Sequence, residues 1–201
     1  VKKLDESHEI FIAEMGARRR GDIKTLCEIV KPDIGIITGI CAQHLETFGS
    51  LENVKRAKNE LIEGLSASFD FIIIDCPAGI ADGFMLAVSA AEEALVVTTP
   101  HLSSLRDADK VLSLLRGYGL KSVRLVVNRV RGDLVASGEM LSPEEIERTL
   151  KCNLAGVIPD DDGVFLYNAG LLPSDSEALK AFKILAYNVI SGKSKIYDCI
   201  S

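Results

Sequence analysis

Short apolar runs rich in Ile and Val recur along the chain at His8–Ala13, Ile34–Thr38, Phe69–Asp75, Ala94–Thr98, Val123–Val127 and Ala155–Ile158. A half-buried strand would alternate apolar and polar residues, so these runs are expected as strands covered on both faces. Between them lie longer amphipathic stretches, Gly21–Val30, Leu51–Leu65, Gly83–Ala91, Ser103–Gly117, Ser142–Leu150 and Ser176–Ile190, each long enough for a helix. Start signals support them: Ser142, Pro143, Glu144 and Glu145 place a cap, a first-turn proline and acidic residues in order, and Ser103 or Ser104 precedes Leu105. Regular alternation of strand and helix predicts an α/β domain, a doubly wound and mainly parallel sheet of about six strands with helices on both faces. Ligands of such sheets bind beyond the carboxyl ends of the strands, so functional residues should follow the strands.

Composition narrows the picture. With 201 residues and 47% hydrophobic content the chain can bury a full core as a single α/β domain, residues 1–201. A formal net charge of −6 offers no general basic field, so non-specific nucleic-acid binding is not expected, although a local basic patch stays open. Five cysteines, Cys27, Cys41, Cys76, Cys152 and Cys199, are scattered without a paired or metal-ligand spacing, which points to a reducing compartment and no structural zinc. Aromatic residues are 5% and Trp is absent, so the core must be aliphatic and base-stacking platforms scarce. No apolar run reaches the ~18 residues of a membrane span and the first residues lack a signal-peptide layout, so a cytoplasmic protein is expected.

A nucleotide-binding domain of this class usually carries a Gly-rich loop after its first strand, and no G-x-x-x-x-G-K-[ST] string occurs among these residues. The nearest string runs from Gly16 through Arg18, Arg19 and Arg20 to Gly21. It reads as an exposed arginine-rich turn, or as three guanidiniums that hold phosphate by bidentate contacts.

Four strings in order, FDFIIIDCPAGI (Phe69–Ile80), ALVVTTPHLSSLRDADKVLSLL (Ala94–Leu115), RLVVNRVR (Arg124–Arg131) and LAGVIPDDDGV (Leu154–Val164), resemble the MinD branch of the ParA/MinD deviant Walker ATPases. The resemblance covers residues 66–201 and implies a P-loop NTPase-like fold, ATP and Mg²⁺ as cofactors, and a role in septum placement and cell division. It makes Asp75 the catalytic Walker B carboxylate and Mg²⁺ ligand, with Pro77 and Gly79 in the switch turn toward the γ-phosphate; the plainer reading of Asp75 is a cap for that turn. It places Asn128 and Arg129 at the base, and Pro159 and Asp160 in the wall beside it. Taken singly, each is also a turn residue. Ala81 stands where many MinD sequences carry an acidic residue. The segment Ser103–Asp109 looks like the MinD dimer and partner surface, and implies a homodimer; a solvated helix start is the alternative. MinD proteins carry a basic amphipathic helix for membrane surfaces, whereas Lys193–Ser201 has two lysines and no long apolar face, so membrane targeting is not expected.

The front of the chain carries different strings: Glu14, Met15 and Gly16, then Arg20–Pro32, and GIITGICAQHLETFGSLENVKRAKNELIEGL (Gly35–Leu65). These resemble the central ATP-binding domain of Mur ligases, closest to the type that joins D-Ala-D-Ala to the UDP-muramoyl peptide in peptidoglycan synthesis. The resemblance implies that Glu14 and His44 ligate Mg²⁺, and that Lys58, followed by Glu60, becomes carbamylated to hold a second metal. A carbamate turns an amine into an oxygen ligand of the kind hard Mg²⁺ prefers. Without that context His44 reads as a satisfied polar group and Lys58 as part of a solvated face. The chain thus looks like a chimera of a Mur ligase-like segment, 1–65, and a MinD-like segment, 66–201, joined near Ile62–Ser68. Three functions follow as expectations: an ATPase-type domain with weak or absent ATP binding, a ligase fragment, or an inactive scaffold with a nucleotide-binding fold.

Overall fold

The computed structural model describes residues 10–15, 22–38, 71–76, 82–166 and 176–200. They belong to two compact units, Val1–Ala90 and Ala91–Ser201.

In the first unit, helix α1 (Asp22–Val30) leads to strand β1 (Ile34–Ile37), and strand β2 (Phe71–Ile74) is followed by helix α2 (Asp82–Ala90). α1 ends because Lys31 turns left-handed at φ 47°, donating its N–H to the Cys27 carbonyl at 2.8 Å, and Pro32 cannot continue a helix. β1 and β2 pair in parallel from Ile34 opposite Phe71 to Ile37 opposite Ile74. Two expectations change here. Residues 10–13 form no strand: Ile10, Phe11 and Ile12 are exposed, and no strand among the described residues pairs with their backbone. β1 is covered on one side only, since Gly35 is buried while Ile34 and Ile36 are exposed. The expected helix Leu51–Leu65 and the join near Ile62–Ser68 lie outside the described residues.

The second unit holds strand β3 (Glu93–Thr98), helix α3 (Leu102–Leu115), strand β4 (Ser122–Val130), helices α4 (Gly132–Ala136) and α5 (Pro143–Leu150), strand β5 (Leu154–Pro159), helix α6 (Asp162–Leu166) and helix α7 (Glu177–Ser191). All three strands are parallel, in the order β3-β4-β5. The described residues therefore carry five strands in two sheets, against about six expected in one.

β4 is central, and its Leu125, Val126, Val127 and Val130 are all buried, as is every residue of β5 up to Ile158. Successive strand residues point to opposite faces, so burial of Leu125, Val126 and Val127 in turn means that both faces of the sheet are covered. α7 covers one through Ala181, which packs with Val126, Ala155 and Ile158. There the sheet must be thin: a Cβ on Gly156 would lie 2.9 Å from a Leu185 methyl. α3 presents Leu105, Ala108, Leu112 and Leu115 at helical spacing and packs on β3 and α5. The edge strand β3 departs from expectation in alternating, with Val96 and Thr98 buried but Leu95 and Val97 exposed.

Caps follow local chemistry. At α5 the Ser142 side chain accepts from the Glu145 N–H and the Glu145 carboxylate accepts from the Ser142 N–H, a reciprocal capping box. α3 starts differently from expectation: His101 occupies its cap position without a side-chain bond, while Ser104 instead accepts from the Thr99 hydroxyl at 2.9 Å.

After α7, Gly192 turns left-handed and residues 193–200 fold back along the unit. Asn188, completely buried, holds them: its Nδ2 donates to the Ala155 and Lys195 carbonyls at 2.8 and 2.6 Å, and its Oδ1 accepts from the Lys195 N–H. Tyr197 packs on the Val126–Ala181 cluster and hydrogen-bonds Glu177. The tail passes so close to α4 that a Cβ on Gly132 would lie 1.8 Å from the Cys199 carbonyl oxygen.

Two substitutions test this anchoring. Asn188→Ala strands three backbone groups and should lower unfolding free energy by about 2–4 kcal/mol in urea titration. Gly132→Ala should cost about 1–3 kcal/mol by displacing the tail; wild-type midpoints for both would show that residues 193–200 are not docked.

Candidate functional site

The polar residues of the second unit gather where β4 and β5 end. Register explains how. Val127 lies opposite Val157 but Val130 lies opposite Pro159, so β4 carries one residue more than β5 over this stretch. The surplus forms a bulge at Asn128–Arg129, and Arg129 adopts a left-handed φ of 61° that ordinary strand residues avoid. The bulge takes two polar side chains out of an otherwise buried strand. The Asn128 Oδ1 accepts the Arg129 N–H at 2.9 Å, which orients the amide and leaves its Nδ2 donors without a partner among the described residues.

From the bulge, Arg129 reaches β5. Its Nε donates to the Asp160 Oδ1 at 3.0 Å, and the Asp160 N–H donates to the Val130 carbonyl at 3.0 Å. The two turns are therefore joined by one side-chain and one backbone bond. Arg131 makes a separate bidentate pair with Asp133, at 3.0 and 2.7 Å, which holds the Asp133 carboxyl below the usual carboxylate range.

Asp161 has neutral partners. Its Oδ2 accepts from the Ser176 hydroxyl at 2.7 Å and the Ala178 N–H at 3.1 Å, and its Oδ1 accepts from the Gly163 N–H at 2.8 Å. Ser176 is the cap residue of α7 and its Oγ also accepts from the Leu179 N–H, so a remote carboxylate and a local hydroxyl share the first-turn donors of that helix. These three donors, the Ser176 hydroxyl foremost, hold the Asp161 carboxyl below its ordinary value.

In the first unit, Asp75 follows β2 directly, its N–H donating to the Ile37 carbonyl at 2.8 Å, and its side chain is exposed at the carboxyl end of the β1–β2 pair. One exposed carboxylate at that position fits a cation that takes few protein ligands and keeps its waters. Glu14 is exposed and outside any strand or helix. Among the described residues no three acidic, histidine or cysteine side chains gather as a metal-ligand set. Pro77, Gly79, His44 and Lys58, with Ala81, lie outside the described residues, as does the whole arginine-rich string Gly16–Gly21. Asn128, Arg129, Pro159 and Asp160 are brought together as expected of neighbouring strand ends. Ser103, Arg106, Asp107 and Asp109 are exposed along the first turns of α3, where Asp107 pairs with Lys110. No described helix is long and apolar enough to cross a membrane.

Parallel strands joined by helices, with polar turns at the carboxyl ends, define an α/β domain of the P-loop NTPase-like class. The family model described as the Mur ligase middle domain matches residues 1–106, more than half of the sequence, and the chain belongs to that family. It is also similar to MinD. A putative septum site-determining protein MinD from Oltmannsiellopsis viridis is 47% identical over 116 residues, 57% of this chain and 37% of that protein. The solved MinD cell division protein of Aquifex aeolicus aligns with TM-score 0.63 and 33% identity, over 73% of this chain and 63% of that one. MinD complexed with Mg-ADP from Pyrococcus horikoshii aligns with TM-score 0.56 and 31% identity, over 71% and 62%. The chain spans about two fifths of the curated relatives it matches, 37% of one and 40% of another. The two likenesses overlap, because a match ending at residue 106 and an alignment over 73% of the chain exceed its length together.

The Asp161 bonds give a pH signature. A folded-state pKa below the unfolded value means that the stabilisation is full above the unfolded pKa of about 3.9 and is lost as pH falls through the folded one. The stability difference between wild type and Asp161→Ala should hold constant above about pH 5 and close in more acid solution, read as urea midpoints across pH. A difference that persists unchanged into strong acid would show that the carboxylate charge is not what the three donors recognise.

Proposed function

We propose that the second unit provides the base end of a MinD-type adenine-nucleotide site; taken separately, Asp75 in the first unit has by the same likeness the role of a Mg²⁺-binding Walker B carboxylate. The observation that carries the reading is the Asn128–Arg129 bulge, interlocked with Asp160 at the carboxyl ends of adjacent parallel strands. There the oriented Asn128 amide offers donors to an acceptor on a base edge, and Pro159 supplies an apolar wall. A relative solved with Mg-ADP supports adenine nucleotide and Mg²⁺ as ligands. Pro77 and Gly79 belong to this reading as the turn facing the terminal phosphate. With no G-x-x-x-x-G-K-[ST] string among the 201 residues, these residues alone bind Mg-ATP weakly and hydrolyse it slowly or not at all. Bound Mg²⁺ supplies charge neutralisation between phosphates; the chain's own part is to orient the base through Asn128 and to fix the opposite turn through Arg129 and Asp160. By the same likeness Ser103–Asp109 is the surface for a homodimer, and the role is in cell division.

Calorimetric titration with Mg-ATP should show saturable, weak binding that falls about three- to tenfold in Asn128→Ala, one neutral hydrogen bond from the Nδ2 being worth about 0.5–1.5 kcal/mol. A cooperatively folded chain that takes up no nucleotide would overturn the reading.

The match to the Mur ligase middle domain favours a second reading for the front of the chain, a fragment of a UDP-N-acetylmuramoyl-tripeptide–D-alanyl-D-alanine ligase in which Glu14, His44 and a carbamylated Lys58 hold Mg²⁺. Nucleotide or metal uptake should then rise with bicarbonate and lose that dependence in Lys58→Arg. On this view the chain is a join of a Mur ligase-like and a MinD-like segment, whether natural, engineered or an artefact of assembly. A nucleotide-independent dimer would instead favour an inactive scaffold.

A further inference from the structure

The β5–α6 turn is anchored at two adjacent residues that face different parts of the unit. Asp160 is tied to β4 through Arg129 and the Val130 carbonyl, whereas Asp161 is tied to α7 through Ser176 and Ala178. The second tie joins residues 15 and 17 positions apart in sequence, so it closes a loop that the sheet itself does not close. A carboxylate suits this position and an amide does not. The donors are two backbone N–H groups and a hydroxyl, spread over both oxygens, and an Asn would set its own N–H₂ against at least one of them.

We propose that Asp161 is the positioning residue for the base end of the site: by clipping its turn to the first turn of α7 it holds Pro159 and Asp160 in place, and so sets nucleobase selectivity without touching the base. The inference rests on the nucleotide reading above. With the clip intact, the wall beside the base is formed before ligand arrives. Without it, binding must first order the turn, and the loss falls on ligands that carry a base. A ligand made only of phosphates does not use the wall and is unaffected.

The test compares Mg-ATP with Mg-tripolyphosphate on the full 201-residue chain, by calorimetry, in wild type and Asp161→Asn. Affinity for Mg-ATP should fall about five- to tenfold while that for Mg-tripolyphosphate stays within about twofold, so the preference for the base-bearing ligand narrows. Amide exchange at Gly163 and Ala178 should accelerate at least about tenfold in the same variant, with no ligand present. A parallel loss for both ligands would mark a merely structural role and overturn the proposal. So would unchanged selectivity in a variant whose Gly163 and Ala178 amides exchange faster, and in that case the nucleotide reading stands. If wild type binds Mg-ATP no better than Mg-tripolyphosphate, the base site and the proposal fall together, while exchange still reports whether the clip exists. Should Asp161→Asn not fold, Ser176→Ala removes one of the three donors and should narrow the preference about two- to threefold.

Discussion

Parallel pairing of β4 on both edges constrains everything around it. A strand whose N–H and C=O groups are taken by β3 on one side and β5 on the other, and whose Leu125, Val126 and Val127 are buried in turn, has no room for a polar side chain at those three positions, while Arg124 just before them is accommodated by reaching the Asn188 carbonyl and Glu93. Beyond that stretch, polar side chains enter where the register slips before Val130 pairs with Pro159. The bulge at Asn128–Arg129 is that exit, and its left-handed Arg129 carries a backbone strain of about 1–2 kcal/mol that the surrounding bonds must offset. The Asp160 carboxylate, which accepts from the Arg129 Nε, and the Asn128 amide, which accepts the Arg129 N–H, are the groups that do so, and the Asn128 amide is also displayed by the bulge.

Charge at this end of the unit is arranged locally. Arg129 meets Asp160, Arg131 meets Asp133, and Asp161 meets only neutral donors. Exposed pairs of this kind contribute little to stability, roughly 0–1 kcal/mol each. Their value is positional: each arginine leaves the strand pointing at a fixed carboxylate, so the turns beyond β4 and β5 keep one arrangement. Each of these two arginines is thus matched by a carboxylate, in a chain of net charge −6.

Likeness to two families is less contradictory than it looks. Mur ligase middle domains and MinD-type ATPases both repeat strand–helix units with right-handed crossovers, so a unit of either can pack beside a unit of the other without violating sheet geometry. The Mur ligase match, reaching residue 106, runs beyond the join expected near Ile62–Ser68 and takes in β2, α2 and β3.

Local signals made most elements legible. The Ile- and Val-rich runs became β1 to β5 within a residue or three, and Ser142 and Ser176 cap the helices they were expected to start. What depends on pairing was not legible. Residues 10–13 have the composition of a strand but no partner among the described residues, and β3 has the composition of a doubly covered strand but lies at an edge of the sheet that the described strands form. Asn128 and Asp160 could be placed from strand ends alone, whereas the one-residue slip between β4 and β5 and the left-handed Arg129 could not, because register is decided by two strands together. The same holds for Asp161 and Ser176, Asn188 and Lys195, and Gly132 and Cys199. Hydrophobic periodicity and capping act over one or two turns of chain, so the sequence by itself determined the elements and their α/β order. Tertiary structure decided which polar groups meet, since those contacts join residues that only the packed sheet brings together.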